Sequence, residues 1–284
     1  MKFVKKRIFV ATLLLVFAGY SVLSYADEII SAPHGFWVTS SEKKRELFGP
    51  SSVSADWHIA QWNSPNPDLG IFYNGMSKGT NQRVRVIDGF YEIEADGQGL
   101  ACNREFDSFA GANNTRVYKH YPSAYFGSPT LAEMHTLNHR IGVTPMIEMI
   151  QGKDCKMTKG VLMTAIVFHN TETDDTFFYQ LRLRKIGAKM KHFWWSKGQP
   201  KGTHKRYGFG DNLDSYGLSD AELNKHKVID IDLLPRIKAL LLDQSIDIDR
   251  NPAHWIVTSA YHGQAMWGNL KLSSRWDSFR LEYK

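Results

Sequence analysis

Two cysteines, Cys102 and Cys155, are all that the 284 residues contain. So few exclude a four-cysteine zinc site, and their separation excludes a CxxC redox pair. GxSxG, GxxxxGK[ST] and HExxH are missing as well, so the sequence signals neither a nucleophile elbow, nor a phosphate-binding loop, nor a metalloprotease helix. Beyond residue 26 there is no apolar run of roughly 18 residues, so no membrane span is expected after the leader. Repeats, low-complexity tracts and linker-like stretches are also lacking, which leaves one domain.

The amino terminus is different in kind. Lys2, Lys5, Lys6 and Arg7 precede an apolar stretch from Ile8 to Leu23, and Ser24-Tyr25-Ala26 stands just ahead of Asp27. That order of basic, apolar and small residues describes a secretory signal peptide over 1–26, which predicts a periplasmic or secreted mature chain of residues 27–284. The leader takes four of the 35 Lys and Arg and none of the 29 Asp and Glu, so the mature formal charge is only +2. A nucleic-acid partner is not expected of an exported chain so nearly neutral. In an oxidising compartment Cys102 and Cys155 are expected to form a bridge, the alternative being two buried thiols. The sequence leaves the oligomeric state open.

Alternation dominates what remains. RVRVIDGFYEIEA (83–95) places two alternating segments around Asp88-Gly89, a dipeptide suited to a tight hairpin turn. Glu92, Glu94 and Asp96 recur on its outward parity, where a solvated strand face is the better reading than a glycosidase carboxylate cluster. VLMTAIVFH (161–169) and TFFYQLRLR (176–184) read as a second hairpin, half-buried. HWIVTSAYHG (254–263), NLKLSS (269–274) and SFRLEYK (278–284) read as three closing strands. One helix is expected over Leu233–Leu242, capped by Asp232 with Pro235 in its first turn. At most one short helix more is expected, at 130–139, opened by the capping-box pattern from Thr130 to Glu133. Many short strands with one or two helices predict a mainly β fold, an antiparallel β-sandwich of jelly-roll or lectin-like form.

Two segments carry the candidate ligand-binding residues. Residues 182–207 hold nine Lys or Arg and no Asp or Glu, and include Trp194, Trp195, Arg206 and Tyr207. Cations beside indoles suit an anionic sugar, whose ring face is apolar and whose acid group needs a positive partner. YHGQAMWGN (261–269) reads as a glycine-bounded turn offering His262, Gln264 and Trp267. Asp211, Asn212 and Asp214 are oxygen donors that calcium could use, although they miss the helix-loop-helix spacing. No cofactor is otherwise implied. His135 and His139 would share a helix face, but Thr136 stands where a metalloprotease has Glu, and no metal site is assigned.

The closing strands, with their glycine-bounded Trp267, are similar to those of jelly-roll carbohydrate-binding and lectin-like domains. The likeness covers roughly the last 30 residues and assigns no site, because fold does not fix function. The expectation is an exported β-sandwich that binds glycan, an acidic polysaccharide among the candidates. A hydrolase or lyase on the same scaffold, with Arg206, Tyr207, His262 and Gln264 as suitable types, is the first alternative. A protein-interaction module of the envelope or host surface is the second, and the sequence does not decide whether the chain is an enzyme.

Overall fold

In a computed structural model, the residues described are 26–30, 36–40, 43–48, 57–60, 76–78, 81–87, 90–99, 101–102, 105–113, 128–151, 158–187, 193–198, 204–213, 218 and 223–284. The signal-peptide residues 1–25, the Asp88-Gly89 turn, Cys155 and Asp214 lie outside them. The strands are β1 (Asp27–Ile30), β2 (Phe36–Ser40), β3 (Lys43–Phe48), β4 (Trp57–Ala60), β5 (Met76–Lys78), β6 (Gln82–Ile87), β7 (Phe90–Asp96) and β8 (Glu105–Asn113). They continue with β9 (Leu137–Ile150), β10 (Lys159–Asn170), β11 (Thr176–Gly187), β12 (Phe193–Gly198), β13 (Lys205–Asn212) and β14 (Lys227–Asp232). The helix α1 (Leu234–Leu241) precedes the last two strands, β15 (Trp255–Trp267) and β16 (Leu270–Tyr283).

Two sheets face each other, so the molecule is the expected mainly β sandwich. One has seven strands, ordered β14-β9-β16-β7-β6-β5 with β1 added on β16. The other has nine, ordered β12-β13-β11-β10-β15-β8-β4-β2-β3. Pairing is antiparallel except between β2 and β4 and between β11 and β13. The core between the sheets is built from alternate residues such as Val84, Tyr91, Ile93, Ile166, Tyr179, Leu181, Trp255 and Trp276. Burying that much apolar surface is the main stabilising term of such a fold.

Both expected hairpins are present. In the first, β6 and β7 pair with Ile87 opposite Phe90, and Tyr91, Ile93 and Ala95 turn inward. Their outward residues pair across strands: Arg83 with Glu94 at 2.5 Å, Arg275 with Glu92 at 2.5 Å and Lys271 with Glu94 at 3.1 Å. This charged ladder is the solvated face that alternation implies. The second hairpin, β10–β11, is buried more deeply than expected, since Arg182 and Arg184 are both covered. A bulge between Leu162 and Met163 swings Arg184 toward the other sheet, where it pairs with Glu148 and donates to the Leu218 carbonyl at 2.7 Å.

Three expectations are corrected. The helix at 130–139 is a turn followed by β9. Thr130 N and Oγ1 both donate to the Glu133 carboxylate, at 2.7 and 2.9 Å, so the capping box forms but the chain behind it extends. The three closing strands are two, because residues 270–283 run as one strand kinked between Asp277 and Arg280. The 261–269 turn is mostly strand: residues 261–267 belong to β15, and only Gly268, at φ 73°, makes the bend. Gly268 carries the chain from the nine-stranded sheet to the seven-stranded one. The expected helix is found one residue shorter at each end, and Asp232 Oδ1 accepts from Leu234 N at 3.0 Å.

Candidate functional site on the outer face of the nine-stranded sheet

Reading 261–267 as strand rather than turn sorts its side chains by parity. His262 and Gln264 point between the sheets and are each 1% exposed. The His262 ring lies among Trp57, Tyr91, Trp276 and Phe279, with centroids 5.0 to 5.3 Å away. Burial holds its pKa well below the usual histidine value, and it is neutral at pH 7. Gln264 accepts from Ser274 Oγ at 2.9 Å and donates to the Leu272 carbonyl at 3.1 Å. Neither presents polar atoms to solvent, so both act within the core rather than at a surface site. Tyr207 is also interior: its hydroxyl donates to the Asp247 carbonyl at 2.6 Å, and burial raises its pKa.

The opposite parity, Tyr261, Gly263, Ala265 and Trp267, faces outward. There Tyr261 and Trp267 pack against Phe109, Val161, Met163 and Ala265, an apolar cluster distinct from the main core. Strand register extends this face across the sheet. One row reads His58, Gly111, Tyr261, Ala165, Gln180, Gly210 and Phe193, from β4 to β12. Glycine or alanine occupies every second strand in that row, and glycine within a strand commonly marks close approach by a ligand or another backbone. The next row reads Phe109, Gly263, Met163, Arg182 and Asn212.

The polar groups of these rows converge. Gln180 Nε2 donates to the Tyr261 hydroxyl at 3.1 Å, and the Tyr261 ring meets Phe109 edge-on at 5.3 Å. Arg182 lies one outward position along β11 from Gln180, and its Nη1 reaches Asn212 Oδ1 at 3.4 Å. Burial lowers its pKa, though a guanidinium stays charged at neutral pH. Lys159 Nζ stands 4.5 Å over the Trp267 ring. On β10, β11, β13 and β15 the described outward positions include Lys159, Arg182, Lys185 and Arg206 but no Asp or Glu. By register, Asp107 and Glu105 of β8 stand opposite Ala265 and Trp267, a placement that concerns their backbone alone.

Of the sequence candidates, Trp267 is on this face, and exposed Arg206 lies at its edge opposite Thr176 and Lys197. Trp194 and Trp195 are opposite Phe209 and Gly208 on β12, a placement that concerns their backbone alone. The potential calcium donors serve other partners: Asp211 accepts from Tyr179 at 2.7 Å and Arg236 at 2.6 Å, and Asn212 meets Arg182. His139 is in a strand, 0% exposed, with Nε2 2.9 Å from Thr164 Oγ1. Tyr261 and Gln180 were missed by sequence reasoning; Tyr261 becomes an outward residue once 255–267 is taken as one strand, and Gln180 lies on the outward parity of 176–182.

The class defined so far is a two-sheet β-sandwich with an aromatic, amide-bearing and locally cationic outer face. No family model matches the chain, and no curated protein matches it. Among solved structures it is similar to the family 11 xylanase from Neocallimastix patriciarum, at 10% identity and TM-score 0.44, covering 80% of this chain and 100% of that one. It is also similar to the xyloglucanase domain of NopAA, a type three effector from Sinorhizobium fredii, at 12% identity and TM-score 0.40, covering 79% and 98%. The native family 12 xyloglucanase from Bacillus licheniformis matches at 9% identity and TM-score 0.40, covering 80% and 100%. At these scores no residue role passes from them to this chain, and the sandwich architecture stands on its own two sheets.

Proposed function

We propose that the chain is an exported glycan-binding protein whose ligand lies on the outer face of the nine-stranded sheet and is acidic. The observation that carries this reading is the Gln180–Tyr261 pair set in a row of glycine and alanine, with Arg182 on the next row and Trp267 three rows along the same face. An aromatic surface takes the apolar face of a sugar ring, and amide groups give its hydroxyls directional partners. The cations on these strands supply the preference for an acid group. The leader pattern over residues 1–26 supports export.

The test is binding of residues 27–284 to a panel of neutral and uronate-bearing polysaccharides. Trp267→Ala is expected to weaken binding about tenfold or more, the scale of one lost ring-stacking contact, and binding to acidic polymers should fall as salt rises. Unchanged binding in Trp267→Ala and in Gln180→Ala would move the site off this face. A single dominant protein partner, captured without regard to glycosidase treatment, would replace the glycan reading with the interaction-module one.

A further inference from the structure

We infer that Lys159 is the specificity-determining residue of this face: its ammonium occupies the stacking position over Trp267 in the free protein and becomes the partner of the acid group when a glycan displaces it. The inference rests on the binding reading above and adds to it the residue that separates acidic from neutral ligands. Lys159 of β10 and Trp267 of β15 are directly opposite in the antiparallel register, so their side chains leave the sheet on the same side. Both are half-buried, and Lys159 Nζ stands 4.5 Å over the indole ring. On its other flank Lys159 is opposite Gly187, which has φ 75° and where a Cβ would lie 2.4 Å from the Thr158 carbonyl oxygen. That position is therefore restricted to glycine. Of the two cross-strand partners of Lys159, only Trp267 offers a side chain for its stem to lie against.

Two occupants cannot share one aromatic face. Rings stack on such a face with centroids from roughly 4.5 Å apart, and the ammonium stands at that height. A sugar ring therefore reaches this face of Trp267 only after Nζ has moved aside. The contact given up is weak: breaking a cation–π pair at a partly exposed site lowers affinity about two- to fivefold. Lysine suits the exchange, because its ammonium is a compact point charge on a flexible stem with three rotatable donors. A neutral sugar breaks the contact and leaves the ammonium to water. A uronate also breaks it, but its carboxylate is fixed to the stacked ring, so the ammonium moves from the ring face to the acid group and forms a charge-assisted hydrogen bond there. One side chain thus competes with every sugar and gains a new partner only from the acidic ones.

The experiment measures binding of neutral and uronate-bearing oligosaccharides of equal length to residues 27–284 and to the variants Lys159→Ala, Lys159→Arg and Trp267→Ala, and follows the NMR signals of the Lys159 methylene groups. Freeing the indole is common to both ligand classes, so the ratio of acidic to neutral affinity isolates the ammonium–carboxylate bond. In Lys159→Ala that ratio should fall about tenfold or more, while neutral binding tightens about two- to fivefold. Lys159→Arg, which keeps the charge, should keep the acid preference. In the free wild type the methylene next to Nζ should be shifted upfield by the indole ring current, and added uronate should return it to an ordinary position. An unchanged ratio in Lys159→Ala, neutral binding that weakens there, or a methylene signal indifferent to ligand would overturn the inference. If Trp267→Ala still weakens binding in that case, the binding reading stands. Absence of binding to every oligosaccharide by folded wild-type protein would remove both.

Discussion

The residue whose chemistry differs most from its sequence appearance is His139. It looked like half of a surface pair with His135, yet it is fully buried in β9, and desolvation lowers its pKa to about 4. Its neighbour across the sandwich is His262, pushed down first by burial and then by His139 itself. The facing groups from the packed strands are neutral: Thr164 from β10, Tyr91 from β7, and Trp57, Trp276 and Phe279. With folded-state pKa values depressed, the unfolded chain binds more protons as pH falls below about 6.5, so folding loses stability from there down to about 4. His139 alone accounts for on the order of 3 kcal/mol over that window. Urea midpoints measured between pH 7 and pH 4 should therefore fall for the wild type. They should fall less in His139→Gln, which keeps a partner for Thr164 and removes the titration; an equal fall would show that the acid sensitivity lies elsewhere.

At the scale of elements, local signals were legible where one short segment decided the outcome. The alternation of 83–95 fixed a hairpin, and Pro235 behind Asp232 fixed a helix start. Position in the tertiary structure was not legible. Trp267 ends one strand and Leu270 begins the next, which in sequence resembles a hairpin turn, but the two strands enter different sheets. That single difference also determined the site, because a turn exposes His262, Gln264 and Trp267 together whereas a strand separates them by parity. Thr130 to Glu133 shows the same limit, since a capping box satisfies backbone donors at a turn as well as at a helix. Asp232 gives an element-scale prediction with a double consequence. Its Oδ1 accepts from Leu234 N at the start of α1 and from Leu137 N at the start of β9, at 3.0 and 2.9 Å. Asp232→Ala should cost about 1–3 kcal/mol, through a lost helix-start bond and a part-buried donor left unsatisfied. Hydrogen exchange should show α1 and the beginning of β9 loosening together; loosening of the helix alone would mean that the Leu137 bond contributes nothing.

For the whole molecule, the connections between sheets matter more than any strand. The chain changes sheet several times, and three of these crossings are the departures from the seven-stranded sheet after β7 and after β9 and the return to it between β15 and β16. These three crossings meet at one end: Gly97 N donates to the Leu270 carbonyl at 2.8 Å and Gln151 N to the Asn269 carbonyl at 2.7 Å. A side chain at Gly97 would collide with the Gly268 carbonyl oxygen, 2.2 Å from where its Cβ would stand, so the meeting point is closely packed. Cys102 follows Gly97 by five residues, and Cys155 follows Gln151 by four in the sequence. Cys102 is not a free thiol, and Cys155 is the one other cysteine of the sequence. A bridge between them would join two of the three crossings and restrict the unfolded chain, a stabilisation of about 4 kcal/mol in the chain-entropy model. Mass spectrometry after alkylation without reductant should find neither cysteine modified in protein prepared in an oxidising compartment. Reduction should then lower the urea midpoint; two alkylated cysteines and an unmoved midpoint would leave the packed crossings, rather than a covalent tie, as what holds this end together.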